Sequence, residues 1–311
     1  MLYMSFLIGL LFICKGGDWF VDASTYIARA FGIPKYIIGA TIVSFATTMP
    51  EMIVSVAAAL KGSSVMAIGN AVGSVSANTG IILGISLICL PAAIRREEYL
   101  MKNLLYLGCL VMLLISFQDN IFSPSDSILL ILSGILFLSM NVKNAVKTRK
   151  EKEQKRIVKK ELTKNLIYFV LGAAAIVAGS HLLIQSACEI AKQLHISEDI
   201  ISVTILAMGT SLPEFVTTIT AIIKKESALS VGNIVGANVI DTAFILPVCT
   251  LITGEHLSVG TQMKLIDLPI CLILSAIALL PMLFRQKIGR QDGIIVLLIY
   301  IAYFVSITGL I

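Results

Sequence analysis

Charged side chains are scarce in this chain, and several patterns that mark soluble enzymes are missing. Lysine, arginine, aspartate and glutamate make up 14% of the 311 residues, whereas a soluble domain has about 25%. The three histidines and six cysteines have no metal-type spacing, which disfavours a zinc or copper site and a disulfide framework. No Walker-type glycine loop is present, so nucleotide chemistry has no support and no cofactor is expected.

Long apolar runs recur from one end of the chain to the other, and 57% of its residues are hydrophobic. A membrane-spanning helix needs about 20 apolar residues. The sequence predicts ten spans, at 2–28, 36–60, 65–93, 101–117, 126–146, 165–192, 199–223, 228–252, 264–284 and 292–310. Residues 1–14 carry no positive charge, so we interpret them as the start of the first span rather than as a secretory signal. The fold class is therefore an all-α polytopic membrane protein.

One stretch of the sequence occurs twice. Thr41 aligns with Thr204, and the match then runs to Gly84 without a gap. The copies contain Ala-Thr-Thr-Met-Pro-Glu at 46–51 and Gly-Thr-Ser-Leu-Pro-Glu at 209–214. A match of this length without gaps indicates an internal repeat, and each copy covers the second and third spans of its half.

The repeat predicts how the chain is organised in the membrane. Five spans precede the charged stretch at 147–164 and five follow it, and an odd number of spans turns the second half upside down. This arrangement is typical of inverted-topology repeats in transporters. We predict a five-helix repeat at 1–146, a basic cytoplasmic linker at 147–164 and a second five-helix repeat at 165–311.

The basic residues predict the orientation. The segment 143–164 contains ten of the 24 lysines and arginines; if it is cytoplasmic, ten more lie inside and three outside. Cytoplasmic loops are enriched in these residues, so both termini are expected on the extracytoplasmic side of a prokaryotic inner (plasma) membrane. The net charge of +5 is then a topology signal, with the bilayer as partner and no nucleic acid. No obligatory protein partner is evident.

Each copy of the repeat places a glutamate, Glu51 or Glu214, inside an apolar span. A charge near the bilayer centre costs at least about 2.5–3.5 kcal/mol, so these side chains must bind cations, bind protons or pair with a base. Lys61, Lys224 and Lys225 are the nearest lysines on the same spans, and they lie about ten residues away, or about 15 Å along a helix. A protonated structural glutamate is the alternative, and its occurrence in both halves argues against it.

Hydroxyl and carbonyl oxygens accompany each glutamate. Thr47 and Thr210 precede the glutamates by four residues and are predicted to share a helix face with them. Pro50 and Pro213 each free the carbonyl four residues earlier, which a membrane tolerates only where a cavity, water or an ion satisfies it. Together these groups form the all-oxygen environment that hard cations such as Na⁺ and Ca²⁺ prefer.

The third span of each half carries a polar face with residues spaced by four. These residues are Asn70, Ser74 and Asn78 in the first half, and Asn233, Ala237 and Asp241 in the second. Glycines recur beside them at the same spacing and are predicted to allow close helix approach. Asp241 is a third carboxyl that has Asn78 as its counterpart, so the site is not symmetric in charge. Because neighbouring carboxylates oppose one another's ionisation, Asp241 can carry a proton.

The two copies resemble the alpha-repeats of the cation/calcium exchanger (CaCA) superfamily, in particular those of bacterial sodium/calcium exchangers. The second copy carries the resemblance best, with the motif at 209–214 followed by Gly-Asn-Ile-Val-Gly-Ala-Asn at 232–238. The first copy matches less closely, with Gly-Asn-Ala-Val-Gly-Ser-Val at 69–75. The resemblance covers the whole chain and implies a membrane antiporter, not an enzyme. It would exchange calcium for sodium by alternating access at a midplane carboxylate/hydroxyl cluster.

The resemblance also implies the ion ligands. Both glutamates and the first hydroxyl of each pair would bind Ca²⁺, while the second hydroxyls and the carbonyls seven residues before the glutamates would serve Na⁺. The implied ligands are Glu51, Glu214, Thr47, Thr210, Thr48, Ser211, Ser74, Asn78, Asp241, Ser44 and Ala207. The chain departs from the family at Ala237, where a hydroxyl is usual, and this change would weaken one Na⁺ site.

Other interpretations remain open at this point. A proton-coupled calcium/cation exchanger is possible because buried carboxyls can also carry protons. An intramembrane hydrolase would need a nucleophile with a base or a zinc site, and the histidines lie away from the glutamates in sequence. The long first and sixth spans contain glycines and are predicted to slide across the other eight. On the first span, Lys15 and Asp18 are three residues apart and are predicted to pair.

Overall fold

Helices make up almost all of the described part of the chain. The computed structural model describes residues 2–93, 96–151, 159–193, 209–285 and 287–308. Its helices are α1 Leu2–Phe31, α2 Lys35–Thr47, α3 Met49–Leu60, α4 Ser64–Cys89, α5 Arg96–Ser116, α6 Pro124–Glu151, α7 Lys159–Gln193, α8 Leu212–Ile223, α9 Ser227–Thr253, α10 Leu268–Arg285 and α11 Arg290–Thr308. Within α2, α4 and α9, the segments Gly39–Val43, Asn78–Leu83 and Asp241–Ile245 are π-helical, and another such segment, Met263–Asp267, precedes α10.

These helices have the length and composition of membrane spans. Eight helices of the described ranges are long and apolar enough to cross a bilayer, or nine if α2 and α3 form one bent span. The predicted seventh span, 199–223, is described only from residue 209, where α8 is a 12-residue apolar helix. The prediction of an all-α polytopic membrane protein is confirmed. The predicted linker 147–164 is helical at both ends, since α6 continues to Glu151 and α7 begins at Lys159.

The duplicated stretches fold alike. In the alignment of the two copies, α3 and α8 begin and end at equivalent residues, and the π-helical segments of α4 and α9 begin at the equivalent residues Asn78 and Asp241. The turns that follow α3 and α8 place Gly62 and Lys225 in a left-handed conformation, with φ of 77° and 58°. Only glycine adopts this conformation without steric cost. The two copies therefore share the same turn, although the second copy has a lysine where the first has a glycine.

The predicted continuous span 36–60 is divided in the structure. The chain bends by 46° between α2 and α3, and Thr48 leaves the helical region with ψ of 1°. Pro50 follows in the first turn of α3, a position that tolerates proline because the first N–H groups of a helix have no partner within it. In α8, Pro213 occupies the same position. The prolines therefore start new helices instead of only kinking one.

α4 and α9 form the centre of the molecule and are the most buried of the spans. α2 packs against α9 and α3 against α4, while α11 covers the second half of α4. Two short antiparallel ladders join loops of different halves, Ala92–Ala93 with Lys287–Ile288 and Ile121–Phe122 with Leu257–Ser258. The centre is thus a scaffold made from both halves.

The long helices α1 and α7 pack along one another. A Cβ atom on Gly9 would lie 3.0 Å from the carbonyl oxygen of Gly179, and one on Gly16 would lie 2.9 Å from that of Gly172. The lower-numbered glycine of one helix faces the higher-numbered glycine of the other, so the two helices run antiparallel. These small residues allow the backbones to touch, and the rings of Phe20 and Phe169 extend the contact at a centroid distance of 4.6 Å.

Candidate ion-binding site

The two repeated glutamates lie in the first turns of α3 and α8 and are completely buried. Both Glu51 and Glu214 have no exposed surface. A helix N-terminus presents unpaired N–H groups and a partial positive charge, which favours a carboxylate there. The N-termini of α3 and α8 therefore stabilise the two buried carboxylates. The middle of a continuous apolar helix would not do so.

Two hydrogen bonds cross between the repeats at equivalent positions. Thr47 Oγ1 donates to Asn233 Oδ1 at 3.3 Å, and Thr210 Oγ1 donates to Asn70 Oδ1 at 3.2 Å. The Asn70 amide also donates to the carbonyl of Glu51 at 3.1 Å. Each half thus supplies a threonine to the asparagine of the other half, and the two glutamate-bearing segments are tied together.

The second hydroxyl of each repeat reaches the glutamate of the other repeat. Thr48 Oγ1 donates to Glu214 Oε1 at 2.9 Å. The equivalent hydroxyl, on Ser211, lies beside the Glu51 carboxyl. A hydrogen bond to a charged group stabilises by about 1.5–3 kcal/mol, so the bond from Thr48 helps to offset the cost of burying the Glu214 carboxylate.

Most of the carboxylate oxygens nevertheless have no partner. Within the described residues, both oxygens of Glu51, both of Asp241 and Oε2 of Glu214 make no hydrogen bond. The Ser74 hydroxyl, the Ser211 hydroxyl and the side-chain amide of Asn78 are also unpaired in the described part of the protein, although these residues are 3% exposed or less. Buried polar groups are normally satisfied. A concentration of unpaired oxygens is the arrangement that a dehydrated cation would satisfy.

The three carboxyls lie near one another, and neighbouring carboxylates repel when both are charged. They do not, however, converge on one point. Among the residues that the structure describes, no three His, Cys, Asp or Glu side chains could jointly bind one metal ion. Buried hydroxyl and amide groups of Thr48, Ser74 and Asn78 accompany the carboxyls, so a bound cation would have a mixed oxygen shell, as hard cations accept.

Asn78 and Asp241 occupy equivalent points where α4 and α9 change to π-helical geometry. A π-helical turn interrupts the regular pattern of helical hydrogen bonds and is often found at functional sites. Ser74 lies one turn earlier on α4 and is 2% exposed. The structure therefore places the predicted third-span residues in the buried centre, next to irregular backbone.

Ser44 lies on α2 and is fully buried. Its carbonyl accepts hydrogen bonds from the Thr48 amide at 2.9 Å and from Thr47 Oγ1 at 3.3 Å, and its own hydroxyl donates to the carbonyl of Thr41 at 3.0 Å. The equivalent predicted ligand, Ala207, lies outside the described residues. The role of both carbonyls in Na⁺ binding stays a prediction.

One argument from helix periodicity is wrong. Thr47 and Glu51 were expected to share a face because they are four residues apart, but the helix ends at Thr47 and a new one begins at Met49. Thr47 instead contacts the other half of the molecule through Asn233. Thr47 and Glu51 therefore lie on different helices, and they do not share one helix face as their spacing suggested.

The predicted ligand set omits Asn70 and Asn233, which bind the repeat threonines. The signal for them was present, because the Gly-Asn pair recurs at the same offset as the glutamates. A further buried network supports α4 and α9: Asn238 Nδ2 donates to Thr79 Oγ1 at 2.8 Å, and the hydroxyls of Tyr106 and Ser275 are 2.8 Å apart. Thr79 directly follows Asn78, so this network fixes the backbone next to the site.

A cavity of about 140 Å³ lies between α4 and α8 and reaches the site at Ser211. Apart from this serine, its lining is apolar and includes Ile81, Ile82 and Phe215. The cavity is large enough for several water molecules. It leads to the second hydroxyl of the repeat motif, beside Glu51.

Comparison with known proteins places these features in a family. The family model described as "Sodium/calcium exchanger protein" matches residues 1–142 and 164–309. The chain is 32% identical to an uncharacterized membrane protein of Methanocaldococcus jannaschii, over 97% of this chain and 96% of that protein. It is 27% identical to the sodium/calcium exchanger MaX1 of Methanosarcina acetivorans, over 97% of each chain.

Solved structures give the same result. The fold matches that of the sodium-calcium exchanger NCX_Mj soaked with Na⁺ and Sr²⁺ with a TM-score of 0.87 and 30% identity, over 98% of this chain and 99% of that chain. A further relative was found by sequence alone: the chain is 32% identical to the inner membrane protein YrbG of Escherichia coli, over 93% of this chain and 91% of that protein.

Proposed function

The chain belongs to the sodium/calcium exchanger family, and from this premise we propose that it is an antiporter that exchanges Ca²⁺ for Na⁺ at the buried carboxylate/hydroxyl cluster. The observation that carries the proposal is the set of unpaired oxygens on Glu51, Glu214 and Asp241. Burying so many unsatisfied carboxylate oxygens is costly. Binding of cations, which enter and leave as substrates, offsets that cost.

We assign ligand roles by position in the two repeats. Glu51 and Glu214, with Thr47 and Thr210, would bind Ca²⁺. Na⁺ would use Thr48, Ser211, Ser74, Asn78 and Asp241, with the carbonyls of Ser44 and Ala207. Both ions depend on the same carboxylates, so they compete for the cluster and occupy it in turn. This competition is what couples the inward movement of one ion to the outward movement of the other.

Ten spans arranged as two inverted five-helix repeats are part of the proposal. The equal offset of α3 and α8, and of α4 and α9, supports the repeat. Inversion is supported by the antiparallel contact of α1 with α7, which are equivalent helices of the two halves. A site that lies between inverted repeats is exposed to either side when one bundle moves against the other. Here the moving unit would be the α1–α7 pair.

The membrane and the orientation follow from the charge distribution. We propose a prokaryotic plasma membrane, with the central segment 147–164 in the cytoplasm and both termini outside, because basic residues concentrate on that face. No covalent chemistry is involved, and Ca²⁺ and Na⁺ are the substrates.

Calcium uptake into proteoliposomes tests the proposal. Purified protein is reconstituted, and ⁴⁵Ca²⁺ uptake is measured under an imposed Na⁺ gradient and, in parallel, under a matched H⁺ gradient. Uptake that depends on the Na⁺ gradient and is abolished in Glu214→Gln supports the proposal. Glu255→Gln is a matched control, because it makes the same change at an exposed glutamate outside the cluster, so this variant should transport normally.

A proton-coupled exchanger is the second candidate, and the observation that favours it is Asp241. This third carboxyl has no hydrogen-bond partner among the described residues, and a proton could be carried on it. Uptake driven by the H⁺ gradient and insensitive to Na⁺ would select this candidate. Absence of flux under both gradients, from protein that is folded, would contradict both.

A further inference from the structure

A group of charged side chains connects α1 to the turn between α8 and α9. Lys224 Nζ lies 2.7 Å from Asp22 Oδ2 and 3.3 Å from Asp18 Oδ1, and it also donates to the carbonyl of Asp18 at 3.4 Å. Asn165, near the start of α7, lines the same cavity as Lys224 and Glu226. The turn therefore lies at the end of the molecule where α7 begins, and we name this end the face of the central segment because that segment leads into α7.

Two further cations on this face bind one carboxylate. Arg29 Nη2 lies 3.5 Å from Glu226 Oε1, and Lys35 Nζ contacts Glu226 Oε2. The Glu226 side chain is only 11% exposed, so its charge depends on these partners. Lys224 and Glu226, two residues apart, thus attach the turn to the end of α1 and to the start of α2.

A polar cavity and a polar helix face adjoin these ion pairs. The cavity measures about 510 Å³, and four of the charged side chains line it together with three uncharged ones: Asp22, Arg29, Lys224, Glu226, Thr25, Tyr26 and Asn165. From Lys224 toward the ion site, α8 carries Thr220, Thr217 and Glu214 at helical spacing. Thr217 and Glu214 are fully buried, and the Thr220 hydroxyl lies against α1, 2.7 Å from where a Cβ on Gly17 would be.

The equivalent positions of the other half carry a different set of side chains. In the alignment of the two halves, Lys224 corresponds to Lys61, while Asp18 and Asp22 correspond to His181 and Gln185. Glu226 corresponds to Ser63. The basic residue is therefore present in both halves, but the carboxylates that bind it occur in only one.

We propose that these ion pairs form a latch that closes the ion entrance on the face of the central segment and favours the conformation in which that entrance is shut. Asp18 and Asp22 lie on α1, which belongs to the moving pair, whereas Lys224 belongs to the scaffold. Sliding of α1 must break both pairs, and the equivalent positions of the other half cannot form them. The inference rests on the proposed alternating-access function, and it adds an unequal energetic preference for the two conformations.

The latch is tested by the accessibility of one cysteine. Thr25 lines the cavity and is 7% exposed, so Thr25→Cys reports opening on this face. The background variant replaces Cys14, Cys89 and Cys188 and keeps the three buried cysteines. An uncharged, membrane-impermeant maleimide–polyethylene glycol is added to the central-segment face of oriented vesicles, and the rate of labelling is measured.

Lys224→Gln should speed the labelling roughly two- to thirtyfold, as expected for the loss of two exposed ion pairs. The double variant Asp18→Asn/Asp22→Asn should have the same effect. Lys61→Gln is the matched control and should leave the rate unchanged. Combining Lys224→Asp with Asp22→Lys should slow the labelling again relative to Lys224→Asp, which a merely steric role of the side chain would not produce.

Equal labelling rates for Lys224→Gln, Lys61→Gln and the parent protein, all eluting as folded protein in size-exclusion chromatography, would overturn the latch. This outcome is separate from failure of the exchanger proposal, because labelling requires no transport. Normal Na⁺-driven Ca²⁺ uptake with unchanged labelling would refute only the latch. Changed labelling without any cation flux would refute only the exchanger.

Discussion

Replacing Gly39 by alanine should separate the two helices that bring the repeats together. A Cβ atom at this position would lie 2.5 Å from the carbonyl oxygen of Leu229, 2.9 Å from the amide nitrogen of Asn233 and 3.1 Å from the carbonyl carbon of Gly232. All three atoms belong to the backbone of α9, so no change of side-chain rotamer can relieve the contact. An ordinary contact begins at 3.4 Å, and α2 must therefore move by about 0.9 Å away from α9.

The loss of stability expected for Gly39→Ala follows from packing. Overpacking of this kind typically destabilises by about 1–3 kcal/mol. The Thr47–Asn233 hydrogen bond is already 3.3 Å long, and a movement of this size would break it. Gly39→Ala should therefore lower both the stability and the Na⁺-driven Ca²⁺ uptake, although residue 39 is not among the ion ligands that we propose.

The assay compares Gly39→Ala with Gly108→Ala. Gly108 lies in α5 and has no described atom within 4 Å of the position of an added Cβ. Alanine is the better helix former, so Gly108→Ala should be neutral or slightly stabilising. The fraction of folded protein that survives heating is measured by size-exclusion chromatography, together with uptake into proteoliposomes. If the two variants have the same stability and the same uptake, the argument from close helix approach is refuted.

Three further predictions concern single residues. Thr48→Val removes the hydrogen bond to Glu214, which contributes about 1.5–3 kcal/mol. Ca²⁺ uptake should fall at least about tenfold in this variant, whereas Thr48→Ser keeps the hydroxyl and should retain uptake. Lys225→Gly removes the steric strain of a left-handed backbone conformation and should raise stability by about 1 kcal/mol. Gly62→Ala at the equivalent turn should lower stability by a similar amount. Both effects are measured as the shift of an unfolding midpoint. Gly172→Ala places a Cβ 2.7 Å from the backbone of α1 and should destabilise by about 1–3 kcal/mol, and unchanged heat resistance would contradict the close packing of α1 with α7.

Much of the fold could be predicted because part of the sequence is duplicated. The alignment of the two copies located both glutamates, the prolines and the polar faces of α4 and α9, and the long apolar runs located most spans to within a few residues. These signals are local or periodic, so they require no knowledge of how the helices pack.

The contacts between the halves could not be predicted in this way. Thr47 and Asn233 are 186 residues apart, and Lys224 and Asp18 are 206 residues apart. The spacing of Lys15 and Asp18 suggested a pair within α1, whereas Asp18 contacts Lys224. The break at Thr48 was missed because a proline in an apolar run is compatible with either a kink or a new helix, and tertiary packing decides between them.

The antiparallel contact of α1 with α7 has a consequence for leakage. Their glycines face each other at two levels, Gly9 with Gly179 and Gly16 with Gly172, and the backbones are too close for one helix to move by a turn, about 5.4 Å, past the other. In the mechanism that we propose, the pair would therefore move as a single body. In a carrier built in this way, the two entrances are moved by the same object in opposite senses. Under the proposed mechanism, both entrances could not be open at once, so a continuous pore that dissipates the ion gradient would not form.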